Sequence, residues 1–396
     1  MIAGRPPRVW LMMGRKAGDN AQIMALAESL GWPFEIKHLV FRRTELITNL
    51  LAGPTLTGVV KDQSSPLLPP WPDLMISAGR RNEPACRWVR AQAGGDVRLV
   101  HVGRPWAPLE CFDLIVTTPQ YRLPESLNVL QNVTPLQRVT EARLAEAAQR
   151  WAPRLAHLPQ PYVAVMVGGN AGPYVLDAEA GALVGRAASA FAKRAGGSLL
   201  ISTSARTPEP ALGALEAAID VPAEIFRWRR DAADNPYLGY LALAGSVIVT
   251  CESMSMLAEA CATRKPVYMF DLDTGPDAKW PLMADLLGEV QQRSWQRRLR
   301  RLKFQPLVYR IAMVTGPRRL TRDVRIIQQQ LIAAGRAVWL GQRFPDGPPP
   351  PPLDDVARAV TAVKALFGEQ ADETLATDPR VATRALAAAG PRAAAP

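Results

Sequence analysis

Short apolar runs alternate with helical patterns through the first half of this 396-residue chain. The apolar runs lie at 9–13, 34–40, 74–77, 97–102 and 114–117. The helix predicted over 21–30 ends at Gly31, a residue type that readily adopts the left-handed conformation common at that position. Apolar runs of this length indicate buried strands, and strands that alternate with helices predict a parallel sheet with helices on both faces.

The same alternation restarts after residue 160 and predicts a second α/β unit. Its apolar runs lie at 162–167, 199–202, 223–228, 247–250 and 267–270, with helices predicted near 179–194 and 210–219. The segment 151–161 contains three prolines and is interpreted as an interdomain linker and hinge. We therefore predict an N-terminal domain over 1–155 and a C-terminal domain over 156–345.

The C-terminal part of the chain has a different character. Beyond residue 280 the pattern is helical, and five consecutive prolines at 348–352 form a stiff spacer. The stretch 354–367 places Val356, Val360 and Val363 on one helical stripe. We predict that 346–369 forms a spacer and a helix that returns to the first domain, and that the Ala-rich residues 370–396 form a disordered tail.

Charge and cysteine content narrow the class of protein. A formal net charge of +11 at pH 7 favours anionic partners. Four cysteines without a CxxC spacing and three scattered histidines predict no metal site, and few cysteines suit a reducing compartment. The first apolar stretch is too short for a signal peptide, and no apolar run reaches the length of a membrane span. We expect a cytoplasmic protein, with peripheral attachment to the inner membrane as an option.

Loops that follow predicted strands of the second half carry groups suited to a nucleotide-sugar. The candidate binding residues are Gly168, Gly169, Asn170, Ser204, Arg206, Thr207, Ser253, Met254, Ser255, Met256 and Glu259. Glycines let backbone amides approach a phosphate, arginine pairs with phosphate oxygens, and helix N-termini attract anions. Glu259 lies four residues after Ser255, on the same helix face, where a carboxylate can accept ribose hydroxyls. The alternative is ordinary strand-to-helix turns, with Thr207 as an N-cap and Glu259 on the surface.

Polar loops also follow the first and third strands of the first half. The candidate acceptor-side residues are Gly18, Gln22, Gly79 and Arg80, with Asp19 as the candidate general base and Glu83 as the second choice. Open α/β sheets bind ligands outside the carboxyl ends of their strands. We therefore expect loops 15–22 and 79–83 to face loops 168–172, 204–207 and 251–255 across a cleft. The alternatives are helix capping by Asp19 and a solvated Arg80.

A basic segment at 293–304 interleaves six cationic residues with apolar ones. Trp295, Leu299 and Leu302 fall on one helical face, so the segment resembles helices that lie on an anionic membrane surface. The alternative is a packed helix with a basic outer face. Nucleic acid is not expected as a partner, because no recognised binding module occurs in the chain.

Several motifs occur in the order found in one protein family. They include AGDNAQ at 17–22, FDLIVTTPQ at 112–120, VGGNAG at 167–172, STSARTP at 202–208 and VTCESMSMLAEA at 249–260. With them the chain resembles the mitochondrial-fission family, the plant elongated-mitochondria proteins and their bacterial relatives. That family is similar to GT-B glycosyltransferases and sugar-nucleotide epimerases. The resemblance implies an α/β fold of two facing Rossmann-like domains with an interdomain cleft, in which Glu259 binds ribose and the Gly-rich and Ser-rich loops bind pyrophosphate.

These features lead to one functional expectation and two alternatives. We expect a metal-independent, GT-B-type glycosyltransferase that uses a nucleotide-sugar as substrate, needs no cofactor, and has a membrane-associated acceptor as an option. The first alternative is a non-catalytic membrane-associated adaptor, which gains support from Ala205, where the family pattern has an arginine. The second alternative is a sugar-nucleotide epimerase-like enzyme, which calls for more histidines than this chain offers.

Overall fold

The computed structural model describes residues 5–42, 53–230, 232–272, 279–283, 311 and 322–368. These residues fall into two compact units, Met1–Arg138 with Asp354–Pro396, and Val139–Leu353. The basic segment 293–304 and the predicted tail 370–396 lie outside the described residues.

Strands and helices alternate in both units. The strands are β1 (Val9–Met13), β2 (Phe34–His38), β3 (Leu74–Ala78), β4 (Arg98–Val102), β5 (Leu114–Thr117), β6 (Val129–Gln131), β7 (Tyr162–Met166), β8 (Ser198–Ser202), β9 (Ala223–Phe226), β10 (Ser246–Thr250), β11 (Val267–Phe270) and β12 (Val338–Trp339). The helices are α1 (Ala17–Leu30), α2 (Glu83–Gln92), α3 (Glu141–Leu155), α4 (Ala178–Ala195), α5 (Glu209–Ala217), α6 (Tyr237–Leu243), α7 (Met254–Ala262), α8 (Arg325–Ala333) and α9 (Asp355–Ala365).

The first unit is built on a six-stranded parallel sheet with the order β2-β1-β3-β4-β5-β6. Every residue of β1 is buried, because helices cover both faces of the sheet. Val9 and Leu11 belong to the core with α1 and α9, whereas Trp10 belongs to the opposite core with α2. The strand order reverses between β1 and β3, so the loops after these two strands lie at the position where open α/β sheets bind ligands.

Helix α9 packs on the first unit although it follows the second unit in the chain. Ala359, Ala362 and Val363 lie in the core that α1 also lines. At its start, the buried Asp355 carboxylate accepts hydrogen bonds from Val133 N–H (2.8 Å) and from the N–H and hydroxyl of Thr134 (2.9 and 2.6 Å). These bonds anchor the helix to the loop after β6.

The second unit is also built on a six-stranded parallel sheet, with the order β12-β11-β10-β7-β8-β9. Counted from β7, this is the 3-2-1-4-5-6 order of the Rossmann fold read from its other edge. The order reverses between β7 and β10. The predicted α/β class with two Rossmann-like units is confirmed, and the facing arrangement of the two units stays a prediction.

Some boundaries differ from the predicted ones. The units divide between Arg138 and Val139, because residues 141–155 form helix α3, which packs in the second unit against α6. The predicted linker 151–161 therefore begins inside that helix, with Pro153 within it. Helix α1 begins at Ala17 rather than at residue 21, so Gly18 and Asp19 lie in its first turn.

Candidate functional site

The loops after β7, β8 and β10 meet at the carboxyl edge of the second sheet. β7 is the common neighbour of the other two strands, pairing with β8 on one side and β10 on the other. The loops that follow β7 and β10 flank the point where strand order reverses. The candidate residues of the second unit are thus gathered at the position that ligands occupy in this architecture.

Two backbone amides of the glycine turn are already hydrogen-bonded within the protein. Gly168 N–H donates to Thr250 Oγ1 at 2.8 Å, and Gly169 N–H donates to Glu252 Oε1 at 2.6 Å. The sequence predicted that both amides meet phosphate. In the structure, both amides instead donate to the side chains of Thr250 and Glu252, and these bonds hold the turn against the end of β10.

The two glycines permit a close approach of neighbouring chain segments. A Cβ at position 168 would lie 1.9 Å from Glu252 Oε1, and one at position 169 would lie 2.1 Å from the Arg206 carbonyl oxygen. Both distances are shorter than any tolerated contact. Glycine is therefore needed here for loop packing.

Ser204 and Thr207 hold the loop after β8 against the same turn. The Ser204 hydroxyl donates to Gly168 O at 2.7 Å, and the Thr207 hydroxyl donates to the same oxygen. Thr207 also accepts a hydrogen bond from Ser204 N–H at 2.9 Å. Helix α5 begins at Glu209 with Pro208 as its N-cap residue, so Thr207 closes the loop rather than capping the helix.

Arg206 carries a guanidinium group that solvent can reach. Its side chain is 43% exposed. Its guanidinium donates to Asn170 O and to Ser253 Oγ, both at 3.4 Å. These contacts are at the long limit for hydrogen bonds, and a guanidinium has five N–H donors, so Arg206 retains capacity to bind an anion.

Glu252 lies behind Arg206 and is buried, with 1% of its surface exposed. Its Oε1 lies 3.9 Å from Arg206 Nη2, and its Oε2 has no hydrogen-bond partner among the described residues. Burial raises the pKa of Glu252, against the opposing effects of Gly169 N–H and Arg206. Glu252 was not among the site residues predicted from the sequence, although it lies two residues after the end of β10, beside the reversal of strand order.

Helix α7 begins beside these groups. Ser253 is its N-cap residue, and no side-chain hydrogen bond caps the helix. The amides of its first turn, Met254–Met256, have no partner within the helix. Met254 is buried, whereas Ser255 and Met256 are half-buried. This end of α7 offers a partial positive charge to an anion.

Glu259 lies one turn further along α7 and is half-buried. Its Oε2 accepts a hydrogen bond from the Tyr237 hydroxyl at 2.6 Å. Burial, followed by the Glu259 charge, raises the pKa of Tyr237, so the phenol keeps its proton and acts as the donor. The predicted role of Glu259 in binding ribose stays a prediction, with Tyr237 orienting the carboxylate.

The candidate residues of the first unit also gather near its reversal of strand order. Gly79 has a positive φ of 71°, and a Cβ there would lie 3.0 Å from Asp19 Oδ2. The Asn20 side chain accepts a hydrogen bond from Gly14 N–H and donates one to Gly14 O, both at 2.9 Å. These two bonds fix the turn before α1. Gln22 Nε2 lies 3.5 Å from Gly18 O. Asp19 is half-exposed, as a general base that meets a substrate must be.

The guanidinium of Arg80 lies over an aromatic ring, with its Cζ 4.1 Å from the centre of the Trp106 ring. Glu83 is 2% exposed and accepts hydrogen bonds from Trp106 N–H (2.9 Å) and Ala107 N–H (2.8 Å). Its Oε1 lies 3.9 Å from Nε2 of the buried His101. These bonds hold the loop after β4 against Glu83, and the role of general base given to Asp19 or Glu83 stays a prediction.

The sequence matches a known protein family over most of its length. The family model described as mitochondrial fission ELM1 matches residues 17–313, well over half of the chain. The chain belongs to the mitochondrial fission ELM1 family. It is 27% identical over 234 residues to the mitochondrial fission protein ELM1 of Arabidopsis thaliana, and that match covers 53% of this chain and about half (53%) of the plant protein. An uncharacterized protein of Rickettsia prowazekii is 21% identical over 295 residues, 66% of this chain and 82% of that protein.

This ELM1-family chain is also similar in fold to solved structures. The UDP-GlcNAc 2-epimerase of Neisseria meningitidis bound to UDP-GlcNAc is 10% identical with a TM-score of 0.40, covering 82% of this chain and 100% of that one. The ADP-heptose LPS heptosyltransferase II of E. coli is 13% identical with a TM-score of 0.40, and the match covers 76% of this chain and 99% of that one. TM-scores of this size carry no inference about activity.

None of the helices in the described residues combines the length and apolar character that a membrane span requires.

The glycine turn of this ELM1-family chain gives a direct prediction. We expect Gly169→Ala to lower the free energy of unfolding by about 1–3 kcal/mol, because the new methyl group meets the Arg206 backbone and forces the two loops apart. Gly213→Ala is the matched control. Gly213 is exposed within α5 with open space around its Cβ position, so the same change there is expected to raise that free energy by about 0.5–1 kcal/mol. Urea unfolding measures both, and equal effects of the two substitutions would contradict the close approach.

Proposed function

We propose that this chain is a GT-B-type, metal-independent glycosyltransferase that binds the diphosphate of a nucleotide-sugar at the carboxyl edge of its second sheet. The observation that carries the proposal is the solvent-accessible Arg206 guanidinium beside the Ser253 hydroxyl and the N-terminus of α7. These groups stand next to the reversal of strand order, where Rossmann-type sheets bind nucleotides.

The chemistry of donor cleavage explains why these groups suit the task. When the bond to the sugar breaks, negative charge develops on the leaving diphosphate. A guanidinium, a hydroxyl and helix amides fixed in advance stabilise that charge without a metal ion. The amides of Gly168 and Gly169 do not belong to this set, since they hold the loop in which Asn170 lies.

A transferase also needs a group that accepts the proton of the attacking hydroxyl. We assign this role to Asp19, which is half-exposed in the first turn of α1. A carboxylate in this role contributes typically 100- to 10,000-fold to the rate. Tyr237 and Glu259 form the pair that we assign to the ribose, with Glu259 accepting from the ribose hydroxyls.

A thermal-shift screen of the full chain against UDP-, GDP-, CMP- and dTDP-sugars tests the proposal. A ligand at a hundredfold excess over its Kd stabilises the folded state by about 2.7 kcal/mol. We expect at least one nucleotide-sugar to raise the melting temperature and, with an acceptor present, to release its nucleoside phosphate. If no nucleotide-sugar raises the melting temperature, the proposal fails.

A second candidate function is a non-catalytic adaptor. Two observations favour it: the chain belongs to a family named for mitochondrial fission, and it has Ala205 where the family pattern has an arginine. Nucleotide binding without release of nucleoside phosphate would support this function. Formation of an epimeric nucleotide-sugar would instead support the epimerase alternative. The membrane contact predicted for 293–304 concerns residues outside the described ranges and stays a prediction.

A further inference from the structure

Five consecutive prolines, Pro348–Pro352, form a run between β12 and helix α9. This proline run belongs to the second unit, and contacts within that unit hold the segment that carries it. The Phe344 ring packs edge-on against the Tyr268 ring of β11, with 6.0 Å between the ring centres. Arg264 Nε donates to Pro350 O at 3.0 Å. The proline run is therefore anchored to the body of the second unit.

The backbone of the proline run has few accessible conformations. A proline ring fixes φ at about −65°, and a residue that precedes a proline is restricted to extended values. Every residue of the run except the last precedes another proline, and the peptide bonds within the run are trans. Such a sequence forms a polyproline II helix, which has roughly three residues per turn and no internal hydrogen bonds.

Exposure along the proline run follows the period of this helix. Pro350 and Leu353, one turn apart, are half-buried, whereas the other residues of the run are exposed. One ridge of the helix therefore faces the second unit, and the other two ridges face solvent. Pro349 and Pro352 lie on one of these exposed ridges, about 9 Å apart along the axis.

Two prolines at this spacing are what one class of protein groove recognises. Shallow grooves lined by aromatic side chains, as in SH3, WW and EVH1 domains, bind proline-rich strands in the polyproline II conformation. A strand that already has this conformation before binding loses little conformational entropy when it docks. The proline run meets this condition because its sequence restricts the backbone and the Arg264 contact fixes its position.

The residues before the proline run supply a polar margin. Arg343 Nη2 lies 2.5 Å from Asp346 Oδ2, and the two side chains are 84% and 81% exposed. An apolar strip with charged groups at its end has the composition of a small protein–protein contact, in which an apolar centre is surrounded by a polar rim.

We propose that the proline run is a docking strand for a partner protein that carries a shallow groove lined by aromatic side chains. The groove receives Pro349 and Pro352, while Pro350 stays against the second unit. A strand this short buries a small area, so the complex is expected to be weak and transient. The inference is independent of the proposed function, because it uses none of the residues assigned to the nucleotide-sugar.

NMR spectra of isotope-labelled SH3, WW and EVH1 domains, titrated with the unlabelled full chain, test this surface. We expect groove resonances of at least one domain to shift or broaden, with a Kd in the micromolar range. The double variant Pro349→Ala/Pro352→Ala should bind about tenfold more weakly or less, because both prolines that enter the groove are lost. Pro345→Ala, the same change at an exposed proline outside the run, is the matched control and should bind as the wild type does.

Melting temperatures separate loss of the docking strand from loss of the fold. Because Pro349 and Pro352 are exposed, the double variant should unfold within a few degrees of the wild type. Absence of groove shifts in all three domains, or equal affinity for wild type and double variant, would overturn the proposal and show that the run is a stiff spacer only. Failure of the nucleotide-sugar screen would overturn the proposed function and leave this inference standing.

Discussion

Asp19→Asn is expected to lower turnover by roughly 100- to 10,000-fold, the usual contribution of a general base. Asparagine keeps the size and the polar character of the side chain but cannot take up a proton. A Cβ added at Gly79 would lie 3.0 Å from Asp19 Oδ2, so there is little room beside the carboxylate, and an isosteric change fits the same space. The loss should therefore fall on turnover, while the rise in melting temperature with a nucleotide-sugar stays as in the wild type.

The measurement is release of nucleoside phosphate from the donor that the thermal-shift screen identifies. Asp62→Asn, the same change at an exposed residue of the first unit, is the control and should leave turnover unaltered. Turnover by Asp19→Asn within a few fold of the wild type would remove Asp19 from the mechanism. A wild-type protein that binds nucleotide without releasing phosphate would favour the adaptor.

Between pH 4.5 and 7, the free energy of unfolding of Glu83→Gln is expected to rise by roughly 3 kcal/mol relative to that of the wild type. Burial raises the pKa of Glu83 from 4.5 to about 7, in spite of the hydrogen bonds from Ala107 and Trp106. In this window the folded state holds a proton that the unfolded state has released. The stability that Glu83 contributes is thus complete below pH 4.5 and is lost as the pH rises to 7.

The variant lacks this titration, so its free energy of unfolding should rise relative to wild type as the pH increases through the window. His101 nearby has the opposite behaviour, since burial lowers its pKa to about 3. Urea unfolding at pH 4.5, 5.5, 6.5 and 7.5 gives the difference, with Glu110→Gln as an exposed control. A difference between Glu83→Gln and wild type that does not vary with pH would show that Glu83 has an ordinary pKa.

The sequence predicted the long central strands because their residues are buried on both faces of the sheets and form continuous apolar runs. It did not predict β6 and β12, which have three and two residues and lie at sheet edges. Helix α6 was also missed, because its apolar residues continue through Gly245 into β10 and give no boundary signal.

The candidate site was predicted as a set of loops but not in its internal bonding. The motifs indicated that Gly168, Ser204 and Ser253 belong together, since each follows a strand. Hydrogen bonds such as that from Gly169 to Glu252, 83 positions apart, depend on tertiary packing that no local pattern records. For the same reason, the glycine amides were expected to bind phosphate, whereas in the structure they donate to Thr250 and Glu252.

The central claim is that Arg206 and the N-terminus of α7 bind the diphosphate of a nucleotide. Isothermal titration of UDP, GDP, ADP and dTDP into the wild type, Arg206→Ala and Arg186→Ala tests it most directly, Arg186 being an exposed arginine on α4. We predict that at least one diphosphate binds the wild type and Arg186→Ala equally and binds Arg206→Ala roughly 10- to 100-fold more weakly, the effect of hydrogen bonds to a charged group. Equal affinity for wild type and Arg206→Ala, or no binding of any diphosphate to the wild type, would contradict the claim.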